Sequence, residues 1–292
     1  MSEFRTIREL CSVVVDCPHS TPKWTANGKI VIRNKNIKHG KIDFSSPSYT
    51  DDEHFAQRIK RAKPQPGDII ITREAPIGDV GMIPENTECC LGQRMVLLRA
   101  NQSVCDNFYL LYSLQSLYVQ HQISWSEGTG TTVSNLRIPH LEQIQIPYLP
   151  LEQQAKISSV LRALEEKIEN NRRLNDNLQQ QAQAIYSSMF IDNPDPAWSH
   201  GHLSDLITLK YGKDHKKLAD GIYPVYGSGG IMRYVERPLY NKESVLIPRK
   251  GTLNNVMYVN QPFWSVDTMF YTEMKLPNVA KFVYHFVNAI VI

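Results

Sequence analysis

The sequence has no long hydrophobic run and little cysteine. No stretch of its 292 residues approaches the eighteen or so apolar residues that a membrane span requires. The N-terminus, Met1-Ser-Glu-Phe-Arg-Thr6, is polar and carries no apolar segment or cleavage site of the kind that directs export. The five cysteines are an odd number without CxxC spacing, as expected for thiols in a reducing cytoplasm. We therefore predict a cytoplasmic protein that has no membrane segment and keeps its cysteines in the core.

The common signatures of catalysis are also absent. The sequence contains no GxxxxGK[ST], no GxGxxG after a strand, no HExxH and no GxSxG. His200 and His202, and likewise Cys17 and His19, could each supply two metal ligands, but no second pair follows at zinc-finger spacing. We predict no cofactor, no metal site and no catalytic residues.

A hydrophobic seam with a seven-residue repeat runs through residues 151–190. Its members alternate at spacings of four and three, which is typical of a helix that packs along a helical partner. Pro150 suits the start of such a helix, and Asn193-Pro194-Asp195-Pro196 ends the pattern. We predict a coiled-coil spacer helix over 151–192 with a partner seam formed by Ile157, Leu161, Leu164, Ile168, Asn171, Asn175, Leu178 and Ile185.

The stretches on either side of this helix correspond to each other. Asp68-Ile-Ile-Ile-Thr-Arg73 matches Ser244-Val-Leu-Ile-Pro-Arg249, and further segments follow in the same order at offsets near 175. Strand-like runs and helical patterns are mixed in both stretches. The predicted fold class is therefore α+β, with a β-rich module over 1–150, the spacer helix, and a second, incomplete module of the same fold over 198–292.

Basic residues form clusters in these two modules. The net charge of +3 is too small to indicate nucleic-acid binding by itself. However, residues 29–41 and 58–63 contain lysines and arginines with no acidic residue between them, and 210–217 holds a third cluster. A single cluster is more often a solvated surface, but three clusters in repeated modules are typical of a surface that contacts phosphates.

Side chains suited to reading DNA occur at strand ends and in loops of both modules. Arginine can contact guanine through two hydrogen bonds, glutamine and asparagine can do so with adenine, and lysines and hydroxyl groups hold phosphates. Taken singly, each such residue is more often a surface or salt-bridge residue. As a set they predict a DNA-binding surface formed by Arg33, Lys35, Asn36, Arg73, Gln93, Arg94, Thr129, Thr131, Lys210, Tyr211, Arg249 and Lys250.

Two stretches resemble a known family. Ile146-Pro-Tyr-Leu-Pro-Leu-Glu-Gln-Gln-Ala-Lys-Ile157, with Leu164-Glu-Glu-Lys-Ile168 and Asn175-Asp-Asn-Leu178, resembles the conserved spacer of Type I restriction-modification specificity subunits. Gly221-Ile-Tyr-Pro-Val-Tyr-Gly-Ser-Gly-Gly-Ile231 and Phe263-Trp-Ser-Val-Asp267 are similar to parts of that family's target-recognition domains. The resemblance covers nearly the whole chain.

The resemblance implies a recognition subunit that performs no chemistry. Two target-recognition domains, held apart by helices, would each read one half of a split site in double-stranded DNA. Methyltransferase subunits and a motor-nuclease subunit would dock on it. On the repeat argument, we expect about seventy residues of a second module and second helix to be missing after Ile292. We therefore expect self-association through the 151–190 helix, or else a truncated form that functions poorly.

Two other functions fit parts of the sequence. A DNA-processing nuclease could use Asp267, Glu273 and Lys275 to hold Mg²⁺ for phosphodiester hydrolysis, although such spacing is common by chance. A coiled-coil scaffold with no role in nucleic-acid binding would need the 151–190 helix alone. The sequence does not predict which bases are read, because readout depends on exact side-chain positions and on DNA deformability.

Overall fold

The chain folds into two compact units joined within one long helix. The computed structural model describes residues 3–38, 40–125 and 135–291. The units are Met1–Glu169 and Asn170–Ile292, so their boundary falls inside the helix Leu151–Ser187. The long helix lies between two sheet-rich regions of the sequence, as predicted, but each half of it belongs to one of the units.

The first unit mixes short helices with strands. It also contains one short 3₁₀-helical turn at Asn34–Asn36. The elements are β1 (Glu3–Thr6), α1 (Ile7–Leu10), β2 (Cys11–Asp16), β3 (Lys29–Ile32), β4 (Ile37–Lys38), β5 (Lys41–Ile42), β6 (Ser48–Thr50), α2 (Asp52–Arg58), β7 (Ile69–Thr72), β8 (Val80–Met82), β9 (Cys89–Leu91), β10 (Met95–Ala100), α3 (Asn107–Gln115), α4 (Leu117–Trp125), α5 (Ile138–Gln143) and β11 (Gln145–Tyr148).

Two sheets organise this unit. One is antiparallel with the order β2-β10-β7-β8, and the other has the order β6-β3-β9, in which β3 and β9 are parallel. The run Ile69-Ile70-Ile71 is fully buried, which explains why an uninterrupted apolar segment forms an inner strand. The amphipathic pattern after Asn107 breaks at Ser116 into α3 and α4, which cover the core on one side of the sheet.

The long helix is α6 (Leu151–Ser187), and it ends in a π-helical turn at Ser188–Asp192. Pro150 precedes it, and the Pro150 carbonyl accepts hydrogen bonds from the backbone N–H groups of Gln153 and Gln154. Its bounds agree with the helix that the seven-residue repeat predicts.

The second unit continues with α7 (Leu203–Leu206), β12 (Ile207–Tyr211), β13 (Asp220–Gly227), β14 (Gly230–Val235), β15 (Ser244–Pro248), β16 (Met257–Val259), β17 (Trp264–Ser265), β18 (Met269–Met274) and α8 (Ala280–Val291). Its antiparallel sheet has the order β12-β18-β15-β16, and its smaller sheet has the order β14-β13-β17. As in the first unit, the smaller sheet contains one parallel pair, here β13 with β17.

The two units therefore share one topology. In each, the strands of the antiparallel sheet follow one another in the same order, and an arginine, Arg73 or Arg249, comes directly after the third strand of that order. The Arg73 backbone N–H donates to the Arg94 carbonyl at 2.8 Å, and the Arg249 N–H donates to the Thr268 carbonyl at 2.9 Å. These matching bonds show that Arg73 is equivalent in position to Arg249, and Arg94 to Thr268. The predicted α+β repeat is therefore confirmed.

The five cysteines lie in the core of the first unit. All are buried and free of disulfide bonds, as the sequence predicts. Burial raises the pKa of the Cys90 thiol to about 11, which keeps it protonated and unreactive at neutral pH. Among the helices of the described residues, none has the length and apolar character that crossing a membrane requires.

Candidate nucleic-acid interface

An open cleft of about 370 Å³ lies in the first unit beside the ends of β3, β7 and β9. Three of its lining side chains are cationic and none is acidic, so the cleft attracts anions. Its lining residues are Thr21, Pro22, Trp24, Arg33, Asn34, Lys35, Ala75, Gly92, Gln93 and Arg94.

Four residues of the predicted DNA-binding set converge on this cleft. Arg33 and Lys35 come from the segment after β3, while Gln93 and Arg94 come from the loop between β9 and β10. The parallel pairing of β3 with β9 places the two segments side by side, because both strands end at the same edge of the sheet. Gln93 is half-buried, and its amide donates to the His19 carbonyl.

Trp24 was not among the predicted residues. Its ring is 44% exposed, and the Arg33 guanidinium carbon lies 4.9 Å from the ring centroid. An exposed aromatic face next to cations can contact a base or a thymine methyl group. The signal available in the sequence was the position of Trp24 close before the basic cluster of residues 29–41.

Asn36 has a structural role. Its side chain is 4% exposed, its Oδ1 accepts the Arg33 backbone N–H at 3.0 Å, and its Nδ2 donates to the Asp43 carbonyl at 2.9 Å. These bonds shape the turn that carries Arg33 and Lys35 into the cleft. The side chain of Asn36 is therefore used within the protein, where it fixes the shape of this turn.

Arg73 also has a structural role, since it is 9% exposed. Its Nε donates to the Leu136 carbonyl at 2.9 Å, its Nη1 to Asp16 Oδ2 at 2.8 Å, and its Nη2 to Asn135 Oδ1 at 3.1 Å. All three nitrogens of the guanidinium are used inside the protein. Arg73 ties the end of β2 to the segment that precedes α5.

The residues predicted in the second unit lie at the ends of its antiparallel strands. The Arg249 guanidinium lies 4.7 Å from the Tyr211 ring and 5.0 Å from the Phe270 ring, and its Nη1 donates to the Asp267 carbonyl at 3.0 Å. Arg249, Tyr211 and Lys250 are exposed. Lys210 forms an ion pair with Glu273 at 3.7 Å.

Thr129 and Thr131 lie outside the residues that the structure describes.

The first half of α6 packs against the rest of the first unit through a stripe of polar side chains. Gln154 is fully buried: its Oε1 accepts the Asp106 N–H at 2.9 Å, and its Nε2 donates to the carbonyls of Val104 and Leu149. Ser158 Oγ donates to Asp106 Oδ1 at 2.6 Å. Farther along, the Tyr112 hydroxyl donates to Glu165 Oε2 at 3.0 Å, and burial together with this carboxylate raises the pKa of Tyr112.

The second half of α6 packs against α8 within the second unit. Gln183 Oε1 lies 2.8 Å from His285 Nδ1, and the Tyr186 ring stacks on the His285 ring at 5.7 Å. Tyr186 and Phe190 also pack against Phe282.

The predicted seam lies beside the polar stripe of Gln154 and Ser158, and most of it is open to solvent. Its apolar members Ile157, Leu164, Ile168, Leu178 and Ile185 are between 40% and 60% exposed. Leu161 is partly buried, and Asn171 and Asn175 are exposed. The seam is therefore an apolar helix face that neither unit covers.

The alternative catalytic group is dispersed. Glu273 pairs with Lys210, and Lys275 Nζ donates to the Ser204 carbonyl at 2.6 Å. Asp267 lies in the loop before β18. Within the described residues, no group of three or more histidine, cysteine, aspartate or glutamate side chains is arranged to hold a metal ion.

Comparisons with known proteins agree with this architecture. Residues 3–180 match the model of the Type I restriction modification DNA specificity domain. Two proteins of Methanocaldococcus jannaschii named as type I restriction enzyme specificity subunits, MjaX and MjaIX, are 31% and 29% identical over 118 and 126 residues. These matches cover 40% and 43% of this chain but 27% and 28% of those proteins, so the chain aligns with under a third of their length.

A solved structure has the same fold. The crystal structure of a Type-I restriction-modification system S subunit from M. genitalium aligns with a TM-score of 0.60 at 20% identity, covering 100% of this chain and 77% of that one. The alignment shows that the two-unit fold of this chain is shared with that S subunit. The chain belongs to the Type I restriction modification DNA specificity domain family, which confirms the resemblance seen in the sequence.

Proposed function

We propose that this chain is a sequence-specific DNA-binding subunit of a Type I restriction-modification complex. The observation that carries the proposal is the convergence of Arg33, Lys35 and Arg94 with the exposed Trp24 on one cleft without acidic lining residues. Cations positioned by strand ends can hold a phosphate backbone while neighbouring side chains contact base edges. The family membership of the chain supports the same function.

In the second unit, the proposed DNA-contacting residues are Tyr211, Arg249 and Lys250. They follow or end strands of the antiparallel sheet, and all three side chains are exposed. We expect Lys210 to contribute less to DNA binding, because Glu273 already partly neutralises its charge. The two units would read the two halves of a split site.

The helix α6 would set the distance between those halves. Its 37 residues form a helix about 55 Å long at 1.5 Å per residue. A continuous helix resists bending and would therefore allow one separation of half-sites. The methylation pattern of the host genome, with and without this gene, tests this idea. We expect a bipartite motif with a fixed gap to disappear, whereas loss of a contiguous motif would contradict the spacer role.

DNA binding itself is tested by salt-dependent retention of a random-sequence duplex. We expect the affinity to fall on the order of 10-fold or more between about 50 and 200 mM salt, because phosphate contacts release counterions. A chain with no affinity to lose would instead be a scaffold. Mg²⁺-dependent cleavage of the duplex that disappears in Glu273→Gln would favour the nuclease.

The exposed seam of α6 would bind a second copy of the chain in antiparallel orientation. Five of the eight seam positions are symmetric about Asn171: Leu164 and Leu178 lie seven residues to either side, and Ile157 and Ile185 lie fourteen. Two antiparallel copies related by a twofold axis would therefore pair like with like at these positions and place Asn171 against Asn171.

Sedimentation at micromolar concentration tests this pairing. We expect the chain to sediment as a dimer and Leu164→Glu to sediment as a monomer, because the substitution buries charge at two symmetric places. Gln180→Glu is the matched control, since Gln180 lies opposite the seam on an exposed helix face. A monomeric parent chain would contradict self-association. Methyltransferase and motor-nuclease subunits remain the other proposed partners, and co-purification with them is the corresponding test.

A further inference from the structure

Arg94 differs from the other cations of the cleft because it has an acidic partner. Its Nε lies 3.2 Å from Glu74 Oε2, and its side chain is 56% exposed. The Arg94 backbone has a φ of 65°, in the left-handed region that few non-glycine residues adopt. Such backbone strain is typically concentrated at functional sites.

Glu74 is held in place by two asparagines. Asn135 Nδ2 donates to Glu74 Oε1 at 2.7 Å, and Asn34 Nδ2 donates to the Glu74 carbonyl at 2.6 Å. One carboxylate oxygen is thereby fixed, and the other faces Arg94. The orientation of the arginine is consequently set by a carboxylate that cannot easily rotate.

Arg73 supports this arrangement from the interior. Its Nη2 bonds Asn135 Oδ1, so Asn135 bridges the Arg73 guanidinium and the Glu74 carboxylate. Asp16 fixes the other end of Arg73. A continuous polar network therefore runs from Asp16 through Arg73, Asn135 and Glu74 to Arg94.

The ion pair makes Arg94 a poor phosphate contact and a suitable base contact. An adjacent carboxylate repels the full charge of a phosphate much more strongly than the uncharged edge of a base. Among the described residues no partner is bonded to Nη1 or Nη2 of Arg94, so these two donors remain available for a ligand. By contrast, Arg33 and Lys35 have no acidic partner among the described residues, which suits them to phosphates.

We propose that Arg94 reads a guanine in the major groove through its O6 and N7 atoms, and that Glu74, Asn135 and Arg73 are the positioning residues that orient it. Guanine is the base that offers two adjacent acceptors to an arginine fork. The proposal rests on the DNA-binding function proposed above and names the base read by the first unit.

The experiment uses the full chain and a pool of random-sequence duplexes, from which bound DNA is selected and sequenced. We expect the parent chain to enrich at least one guanine that Arg94→Ala no longer enriches, with a loss of discrimination on the order of 10- to 100-fold. Replacing that guanine by 7-deazaguanine removes the N7 acceptor. It should weaken binding of the parent chain and leave binding of Arg94→Ala unchanged.

Glu74→Gln separates a positioning role from a merely structural one. Removing the negative charge should raise affinity for non-specific duplexes while lowering discrimination at the same guanine, and a general loss of fold would lower both. Arg94→Lys keeps the charge but lacks the two-donor fork, so it should retain affinity and lose discrimination. Lys35→Ala is the phosphate-contact comparison: it should lower the affinity for all sequences alike and leave the base preference unchanged.

Two outcomes overturn different claims. If Arg94→Ala weakens binding equally for all sequences, with a smaller salt dependence, Arg94 contacts a phosphate and the guanine assignment is wrong while the DNA-binding function stands. If the parent chain binds no duplex at low salt, the proposed function fails and this assignment with it.

Discussion

The arginines Arg73 and Arg249 occupy the same place in the two units and have different surroundings. Both follow the third strand in the order of the antiparallel sheet, and both backbone N–H groups bond the residue that precedes the neighbouring strand, β10 or β18. Arg73 is buried and bonds Asp16, Asn135 and Leu136, whereas Arg249 is exposed and lies beside the Tyr211 and Phe270 rings, which contact each other edge to face. The same position at the end of a strand is thus buried and hydrogen-bonded in the first unit but exposed in the second.

The neighbours of these arginines differ in the same way. Glu74 and Arg94 form an ion pair in the first unit, and the corresponding positions of the second unit hold Lys250 and Thr268. A shared topology therefore carries two sets of side chains with different hydrogen-bonding and charge. Under the proposed function, this difference would let two sibling units prefer different base sequences, as an asymmetric split site requires.

Substituting both arginines gives the largest expected contrast. Arg73→Ala removes the buried guanidinium that bonds Asp16, Asn135 and the Leu136 carbonyl, and it should lower the free energy of unfolding by about 3 kcal/mol. Arg249→Ala removes an exposed stacked cation and should cost less than about 1 kcal/mol. Urea denaturation of both variants measures the difference. Equal losses would mean that burial does not distinguish the two positions.

The two halves of α6 give a second contrast. Gln154→Ala removes three buried hydrogen bonds and leaves the Asp106 N–H and two carbonyls unpaired, so it should destabilise the first unit by about 2 kcal/mol. Gln183→Ala acts on a partly exposed contact with His285, and its cost should be nearer 0.5 kcal/mol. Hydrogen exchange along α6 would show whether each loss is confined to its own half, and uniform opening of the helix would contradict this assignment.

Much of the fold depends on neighbours along the chain and could be predicted from the sequence. The seven-residue repeat predicts α6, the run Ile69-Ile70-Ile71 predicts a buried strand, and the offset near 175 predicts the repeated topology. The site was predicted less completely. Arg33, Lys35, Gln93 and Arg94 do line one cleft, but the role of Arg73 depends on Asp16 and Asn135, which lie 57 and 62 residues away. No local pattern indicates such distant partners.

The same limit applies to polar residues inside the long helix. Gln154 lies seven residues before the seam residue Leu161. It is nevertheless buried against the rest of the first unit, because its amide satisfies three backbone groups around Asp106. Periodicity separates apolar from polar positions and does not reveal which polar side chain is buried.

A smaller contrast concerns phosphate contacts in the two units. Lys35 has no acidic partner among the described residues, and Lys210 pairs with Glu273 at 3.7 Å. Lys35→Ala should reduce the slope of log affinity against log salt by about 1, uniformly across DNA sequences. Lys210→Ala should change the slope less, because its charge is already partly balanced. A larger change for Lys210 would indicate that Glu273 releases it when DNA binds.

The smallest expected effect is a pH dependence confined to the second unit. Burial lowers the pKa of His285 below its ordinary value of 6.5, so the unfolded chain binds this proton more readily than the folded chain does. Stability should therefore be retained above about pH 6.5 and decrease as the pH falls below it. The effect is small because His285 is partly exposed, and it is measured as the difference in urea midpoint between pH 7.5 and 5.5 for the parent chain and for His285→Gln. The substitution should remove part of the pH dependence, since a glutamine can still bond Gln183 but does not titrate. An identical pH dependence in the parent chain and in His285→Gln would mean that another group titrates. The contact between α6 and α8 would then contribute no pH dependence to stability, like the contact that Gln154 makes in the first unit.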